Sequence, residues 1–132
     1  LAVDPWDSSR VFAGTSSSEL FRSLDGGSNW VLVQSWQSSV RSVLVDPQHP
    51  LTVYAGTQSE GVYRSIDGGT SWNAFNTGLG STTVYSLATD PVQSSNVYCG
   101  TDAGIFIWRA GETLFSDGFE SGDTSAWSYM NP

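Results

Sequence analysis

The sequence predicts an all-β fold built from repeated units of four short antiparallel strands. Three observations support this prediction. Residues 1–30 align without a gap on residues 43–72, and 14 of these 30 positions are identical. Short runs rich in valine, tyrosine and threonine alternate with clusters of glycine, proline, aspartate and serine, as strands alternate with turns. No stretch has the sustained 3.6-residue apolar period of a helix.

The second repeat shows the pattern of elements most clearly. Leu44 and Val45 precede an Asp-Pro turn, and Val53 and Tyr54 precede a glycine. We therefore expect four strands in this unit: A near residues 40–45, B near 52–57, C near 61–66 and D near 70–76.

A third copy follows the second at a spacing of 44 residues. It begins with Asp90-Pro91 and Cys99-Gly100-Thr101 and departs from the pattern after Trp108. The predicted organisation is three repeats followed by an acidic tail, with boundaries at 1–38, 39–82, 83–110 and 111–132.

A period of about 42 residues with four strands per unit is typical of β-propeller blades. A closed propeller has roughly four to eight blades, whereas this chain holds about two and a half to three. We therefore expect a partial propeller or a fragment, taken as the C-terminal part of a larger protein. The alternative is a ring closed by several chains.

One eight-residue phrase occurs twice, as residues 23–30 and 65–72. Its pattern, S-x-D-x-G-x-x-W, resembles the Asp-box or BNR repeat of β-propellers. Families with this box include sialidases, xyloglucanases, sortilin-type receptors and photosystem assembly factors, so the resemblance implies a fold and leaves the activity open. The matching positions are Ser23, Asp25, Gly27, Trp30, Ser65, Asp67, Gly69 and Trp72.

The residues of the phrase favour a structural role over a metal site. Paired glycines allow the positive φ of a tight turn, and an aspartate can accept bonds from the backbone N–H groups of that turn. A calcium loop needs several oxygen ligands at alternating positions, but Gly26, Gly27 and Ser28 follow Asp25. We expect no metal, no cofactor and no catalytic residue.

The charge balance restricts the partners. Thirteen acids and five bases give a net charge of −8, which disfavours nucleic acid and anionic membrane surfaces. Apolar runs are too short for a membrane-spanning helix, so no membrane insertion is expected. The composition is consistent with a secreted or cell-surface protein.

A ligand is expected on the rim opposite the boxed turns. Successive antiparallel strands alternate in direction, so the B–C turns and the D–A connections share that rim, and such loops commonly carry function. Trp36 could stack on a sugar ring or pack on the adjacent blade, and Arg41 could meet a carboxylate of a ligand or of the protein itself. The candidate residues of this face are Trp36, Arg41, Gln58, Glu60 and Asp102.

Three classes of function remain open at this point. The first is a non-catalytic module that binds a protein or glycan, or serves as a scaffold. The second is a fragment of a sialidase-like or xyloglucanase-like glycoside hydrolase, for which Glu60 and Asp102 are the candidate carboxylate pair. The third is a structural subunit that self-associates through open blade edges.

The tail has its own resemblance. Residues 115–128 are similar to a phrase near the C-terminus of many secreted bacterial proteins. This segment could be a sorting or docking tag. It could also be a strand that uses Phe115, Phe119 and Trp127 to cover the last blade, which we favour because an apolar edge needs covering.

Overall fold

The computed structural model describes residues 1–92, 95–109 and 126–130. Within these ranges the chain is all-β, with twelve strands in three four-stranded antiparallel sheets and no helix. The predicted blade architecture is confirmed. No helix that could cross a membrane occurs in the part of the chain so described.

Each sheet corresponds to one repeat, with its strands in chain order from one edge to the other. The first sheet contains β1 (Ala2–Val3), β2 (Val11–Gly14), β3 (Glu19–Ser23) and β4 (Val31–Ser35). The second contains β5 (Val40–Val45), β6 (Val53–Thr57), β7 (Val62–Ser65) and β8 (Asn73–Ala74). The third contains β9 (Val84–Thr89), β10 (Asn96–Thr101), β11 (Gly104–Arg109) and β12 (Trp127–Met130).

The fourth strand of the third sheet comes from the tail. Trp127 pairs with Trp108 of β11 and is 4% exposed. Its indole N–H donates to the Phe75 carbonyl at 2.7 Å, and its backbone N–H donates to the Thr77 carbonyl at 2.7 Å. Residues 127–130 thus cover the outer edge of β11, whereas Phe115 and Phe119 lie outside the described residues.

Adjacent sheets pack face to face, and a glycine allows the closest approach at each junction. A Cβ placed on Gly14 would lie 2.3 Å from Val40 Cγ1, and one on Gly56 would lie 2.5 Å from Val84 Cγ1. Real Cβ atoms do not come this close. Val40, which begins β5, and Val84, which begins β9, therefore each require a glycine on the preceding sheet. We call these contacts the first junction, between sheets one and two, and the second junction, between sheets two and three.

Among residues 1–92, 95–109 and 126–130, no other sheet packs on one face of the first sheet or on one face of the third. Val3 of β1 is 54% exposed, whereas its repeat equivalent Val45 is 5% exposed in the first junction. Ile105 of β11 is 46% exposed, whereas Val62, at the same register position of β7, is fully buried in the second junction. These two free faces therefore carry apolar residues at positions that are buried between sheets elsewhere.

The turns fall into two sets. The A–B and C–D turns form what we call the box rim, and the B–C turns and D–A connections form what we call the loop rim. On the box rim, the A–B and C–D turns of one repeat bond to each other: Gly26 N–H donates to the Ser9 carbonyl and Gly68 N–H to the Leu51 carbonyl. On the loop rim, the D–A connection at Ser39 bonds to the B–C turn of each flanking repeat. Gln58 N–H donates to the Ser39 carbonyl at 3.0 Å, and Ser39 Oγ donates to the Ser16 carbonyl at 2.8 Å.

Candidate functional site

The first boxed phrase is a self-contained hydrogen-bonded turn between β3 and β4. Ser23 Oγ donates to Asp25 Oδ1 at 2.8 Å and accepts from Gly27 N–H at 2.8 Å. Asp25 also accepts from the backbone N–H and the side-chain amide of Asn29, at 2.8 and 2.7 Å. The Trp30 indole N–H donates to the Gly27 carbonyl at 3.0 Å, which folds the ring over the turn.

The second phrase repeats this arrangement between β7 and β8. Ser65 Oγ donates to Asp67 Oδ1 at 2.8 Å, and Gly69 N–H donates to Ser65 Oγ at 2.8 Å. Asp67 accepts from Ser71 through both its backbone N–H and its hydroxyl. The Trp72 indole N–H donates to the Gly69 carbonyl at 3.0 Å.

These hydrogen bonds hold both aspartates in the ionised form. The Asn29 side chain, with its backbone N–H and Ser23, lowers the pKa of Asp25 to about 2. The Ser71 hydroxyl, with its backbone N–H and Ser65, lowers the pKa of Asp67 to about 2. Donors of the same turn occupy these carboxylate oxygens, so the two aspartates act as structural acceptors.

The loop rim contains a cleft of about 370 Å³ where the first two repeats meet the start of the third. The exposed Arg41 lies in this cleft, and its Nη2 donates to Gln58 Oε1 at 2.9 Å. No ion pair of Arg41 with a carboxylate occurs among residues 1–92, 95–109 and 126–130. The cleft is lined by Ser16, Ser39, Val40, Arg41, Gln58 and Tyr85.

Tyr85 was not among the predicted site residues, although it occupies the position of Arg41 in the next repeat. It is 53% exposed at the start of β9 and lines the same cleft. The sequence signal for Tyr85 was its position, because it stands in the third repeat where Arg41 stands in the second. Ser16 and Ser39 belong to a B–C turn and a D–A connection, which were expected on this rim, and the packing of the first two sheets brings them to the same cleft.

Trp36 lies at the edge of the loop rim and packs on the second repeat. Its ring stacks on Tyr63, with centroids 4.8 Å apart and an interplanar angle of 29°. It also meets Trp72 edge-on at 5.6 Å. Because protein rings already contact it on two sides, this geometry favours packing between blades over stacking on a sugar.

The two predicted carboxylates both accept hydrogen bonds from nearby protein groups. Glu60 accepts from Gln37 N–H at 3.0 Å and from the Tyr63 hydroxyl at 3.4 Å. Asp102 accepts from the Ser81 hydroxyl. Within the described part of the chain, no group of three or more histidine, cysteine, aspartate or glutamate side chains is arranged to hold a metal ion.

The single cysteine is a core residue. Cys99 lies on β10, fully buried in the second junction, and burial raises the pKa of its thiol to about 12. A thiol in this state is protonated at neutral pH and is a poor nucleophile.

Comparison with known proteins finds solved structures with a similar fold, but no matching sequence family. No protein-family model matches the chain, and no curated protein is significantly similar to it. A crystal structure of the GH74 enzyme of Niastella koreensis superposes with a TM-score of 0.77 and 22% sequence identity, over 97% of this chain and 20% of that one.

Two further solved structures show the same fold. The GH74 xyloglucanase of Xanthomonas campestris gives a TM-score of 0.67 and 16% identity, over 96% of this chain and 22% of that one. A structure of YCF48 bound to a D1 peptide gives a TM-score of 0.60 and 15% identity, over 76% of this chain and 33% of that one. These are β-propeller proteins, and this chain spans about a fifth to a third of their length.

Proposed function

We propose that this chain is a non-catalytic, secreted or cell-surface propeller module that binds a protein or glycan ligand through the cleft on its loop rim. The observation that carries the proposal is the accessible Arg41 in that cleft. In a chain of net charge −8, its guanidinium contacts only the neutral Gln58 amide among the interactions described. An exposed arginine in this setting is available for a carboxylate or hydroxyl of a ligand.

The two boxed phrases are, in this proposal, Asp-boxes that serve the fold. Their aspartates are bonded within their own turns, and the same bonds recur in both copies. Changes to residues of the loop rim would therefore leave these structural turns intact, so that rim can carry the binding residues. The free faces of the first and third sheets support the view that the module works within a larger propeller.

The matched structures support both kinds of ligand. YCF48 was solved with a bound peptide, which favours a protein ligand. The GH74 enzymes favour a glycan, and they also support the second candidate function, a fragment of a glycoside hydrolase. Glu60 and Asp102 are the carboxylates that this second function would use.

Arg41→Ala is expected to weaken binding by about tenfold or more, because a hydrogen bond from a charged donor is worth roughly 1.5–3 kcal/mol. The probes are a soluble glycan panel that includes xyloglucan oligosaccharides, and peptides selected by display against the wild-type chain. Affinity is measured by calorimetry for the best binder of each panel. Gln34→Ala, on the outer strand β4, serves as the control and should leave affinity unchanged.

Two results would reject parts of this proposal. Equal affinity of wild type and Arg41→Ala would remove the loop-rim cleft as the binding site. Release of reducing sugar from xyloglucan or sialosides that is lost in the double variant Glu60→Gln/Asp102→Asn would establish the hydrolase alternative.

A further inference from the structure

The first junction contains an internal arginine that joins two sheets at the box rim. Arg10, at the end of the first A–B turn, donates through Nη2 to Asp4 Oδ2 at 2.6 Å and also to the Pro50 carbonyl of the second repeat. Arg10 and Asp4 are 13% and 3% exposed. A guanidinium therefore occupies this position and neutralises a buried carboxylate.

The second junction has the same turn without the arginine. Asp46 N–H donates to the Thr52 carbonyl at 2.9 Å, as Asp4 N–H donates to the Arg10 carbonyl at 3.0 Å. Asp46 Oδ1 accepts from the N–H groups of Gln48 and His49, as Asp4 Oδ1 accepts from those of Trp6 and Asp7. Residues 10 and 52 are therefore equivalent in backbone geometry, and threonine stands where the first repeat has arginine.

A cavity of about 200 Å³ occurs at the second junction, and Asp46 lines it. The Asp46 side chain is 7% exposed, and no arginine or lysine forms an ion pair with it among the described residues. Its Oδ2 atom has the exposed His49 Nδ1 at 3.4 Å. Besides Asp46, the residues that line the cavity are Gln48, His49, Thr52, Tyr54, Arg64, Ile66, Ser95 and Trp108.

Trp108 also lines this cavity. It occupies the register position of the box serines, since it pairs with Val97 as Ser65 pairs with Val53. It is 8% exposed, and its indole N–H is buried with no hydrogen-bond partner among the residues that the structure describes. A buried donor without an acceptor is costly, and the Arg10 Nε–H of the first junction is likewise buried without a partner among the described residues.

We propose that the cavity at the second junction binds a guanidinium group, supplied by an arginine side chain of a protein or peptide partner that docks on the box rim. The first junction provides the template, because there one guanidinium reaches a buried aspartate and a backbone carbonyl together. A planar guanidinium can donate two parallel N–H groups to one carboxylate, which the compact ammonium of lysine cannot do.

The nearby Arg64 does not fill this position. Its guanidinium lies over the Phe75 ring at 4.3 Å. In the first junction the equivalent of Arg64 is Arg22, which donates to the Gly68 carbonyl. Arg10 is a separate arginine there and donates to Asp4. The first junction therefore holds two guanidinium groups, and the second has room for the one that its sequence lacks. This site is separate from the loop-rim cleft, so either proposal can fail alone.

The test titrates the wild-type chain with Nα-acetyl-arginine N-methylamide and with the neutral citrulline analogue. The readout is the indole N–H resonance of Trp108 in ¹⁵N-edited NMR spectra, assigned with Trp108→Phe. We expect the arginine compound to shift this resonance in a saturable way and the citrulline compound to bind at least about tenfold more weakly, since it lacks the charge-assisted bond.

Two variants locate the site. Asp46→Asn keeps an acceptor for the turn and removes the charge, so it should weaken arginine binding about tenfold or more. Thr52→Arg should supply the guanidinium from within, as Arg10 does, abolishing binding while raising the unfolding temperature. Glu19→Gln removes the same charge from the first sheet and should leave affinity unchanged.

The proposal is overturned if the arginine and citrulline compounds bind alike, or if the Trp108 resonance does not respond to the arginine compound. It is also overturned if Thr52→Arg binds the arginine compound as well as the wild type does. A loss of affinity in Glu19→Gln equal to that in Asp46→Asn would show attraction to the acidic surface as a whole and would likewise reject the site.

Discussion

At the scale of single residues, Asp25 and Asp67 show how one carboxylate can organise a turn. Each accepts bonds from a hydroxyl, a backbone N–H and a side chain four positions later. The serine that opens each phrase bonds both the aspartate and the second glycine. The turn is therefore closed by side chains of the phrase itself, which explains why its sequence is nearly repeated.

The lowered pKa of these two aspartates predicts a loss of stability in acid. Unfolded aspartate titrates near pH 3.9, whereas the folded pKa of Asp25 and Asp67 is about 2. The unfolded chain thus binds more protons between these values, so stability is full above about pH 5 and falls as the pH drops toward 2. Asp25→Asn/Asp67→Asn should flatten this dependence in urea unfolding measured from neutral to acid pH.

The control for this experiment is Ser28→Ala, which changes an exposed side chain of the same turn that does not titrate. It should unfold with the pH dependence of the wild type. If the double asparagine variant lost stability in acid as steeply as the wild type, the two carboxylates would not be the groups responsible.

At the scale of elements, the strands follow the predicted order, and the outer strands differ most from expectation. Strand D of the second repeat was expected near 70–76, but β8 covers only Asn73–Ala74. The boxed phrase extends to Trp72 and directs the N–H groups of Thr70 and Ser71 to Asp67. Backbone groups bonded within the turn are not available to the ladder, so pairing starts later.

The packing of neighbouring sheets predicts different responses at two equivalent glycines. A Cβ on Gly56 would meet Val84 Cγ1 at 2.5 Å, whereas one on Gly100 would meet only Ser86 Oγ at 3.0 Å. Gly56→Ala should therefore cost about 1–3 kcal/mol through overpacking. Gly100→Ala should stay within about 0.5 kcal/mol, because a serine hydroxyl can rotate away.

Urea unfolding of the two alanine variants checks this comparison, with Gly100→Ala as the matched control for Gly56→Ala. Equal losses would mean that the second junction is not packed as described.

At the scale of the whole molecule, the three sheets have two apolar faces that no other described sheet covers. Tyr98 is 37% exposed on the third sheet, whereas its repeat equivalents Phe12 and Tyr54 are 0% and 2% exposed inside the junctions. Three blades fall below the roughly four to eight of a closed ring. Further blades, from a longer chain or from a second copy, would bury these faces as the junctions bury theirs.

The isolated chain is expected to self-associate through these faces, because each can repeat a junction that the chain already contains. Sedimentation velocity should show a species of twice the 14.2 kDa chain mass that grows with concentration. Val3→Asp and Ile105→Asp should each shift the chain toward the monomer, since each puts a charge in the contact. Leu51→Asp, at an exposed position of the box rim, is the control, and a wild-type chain that stays monomeric would contradict the expectation.

The sequence by itself determined the repeat, the four-stranded unit, the boxed turns and the two rims. These features are local: turn chemistry and strand patterning act within about 42 residues, and a repeated phrase shows them twice. It also placed Arg41 and Gln58 on the same rim, because antiparallel strands alternate in direction along the chain.

The tertiary structure alone decided which residues meet between sheets. It joined Tyr85 to Arg41 in one cleft, put Trp36 against Tyr63, and left Asp46 beside a cavity where Asp4 has Arg10. These outcomes depend on contacts between distant segments and on the volume of facing side chains. Neither periodicity nor turn composition contains that information, because both describe a repeat without its neighbours.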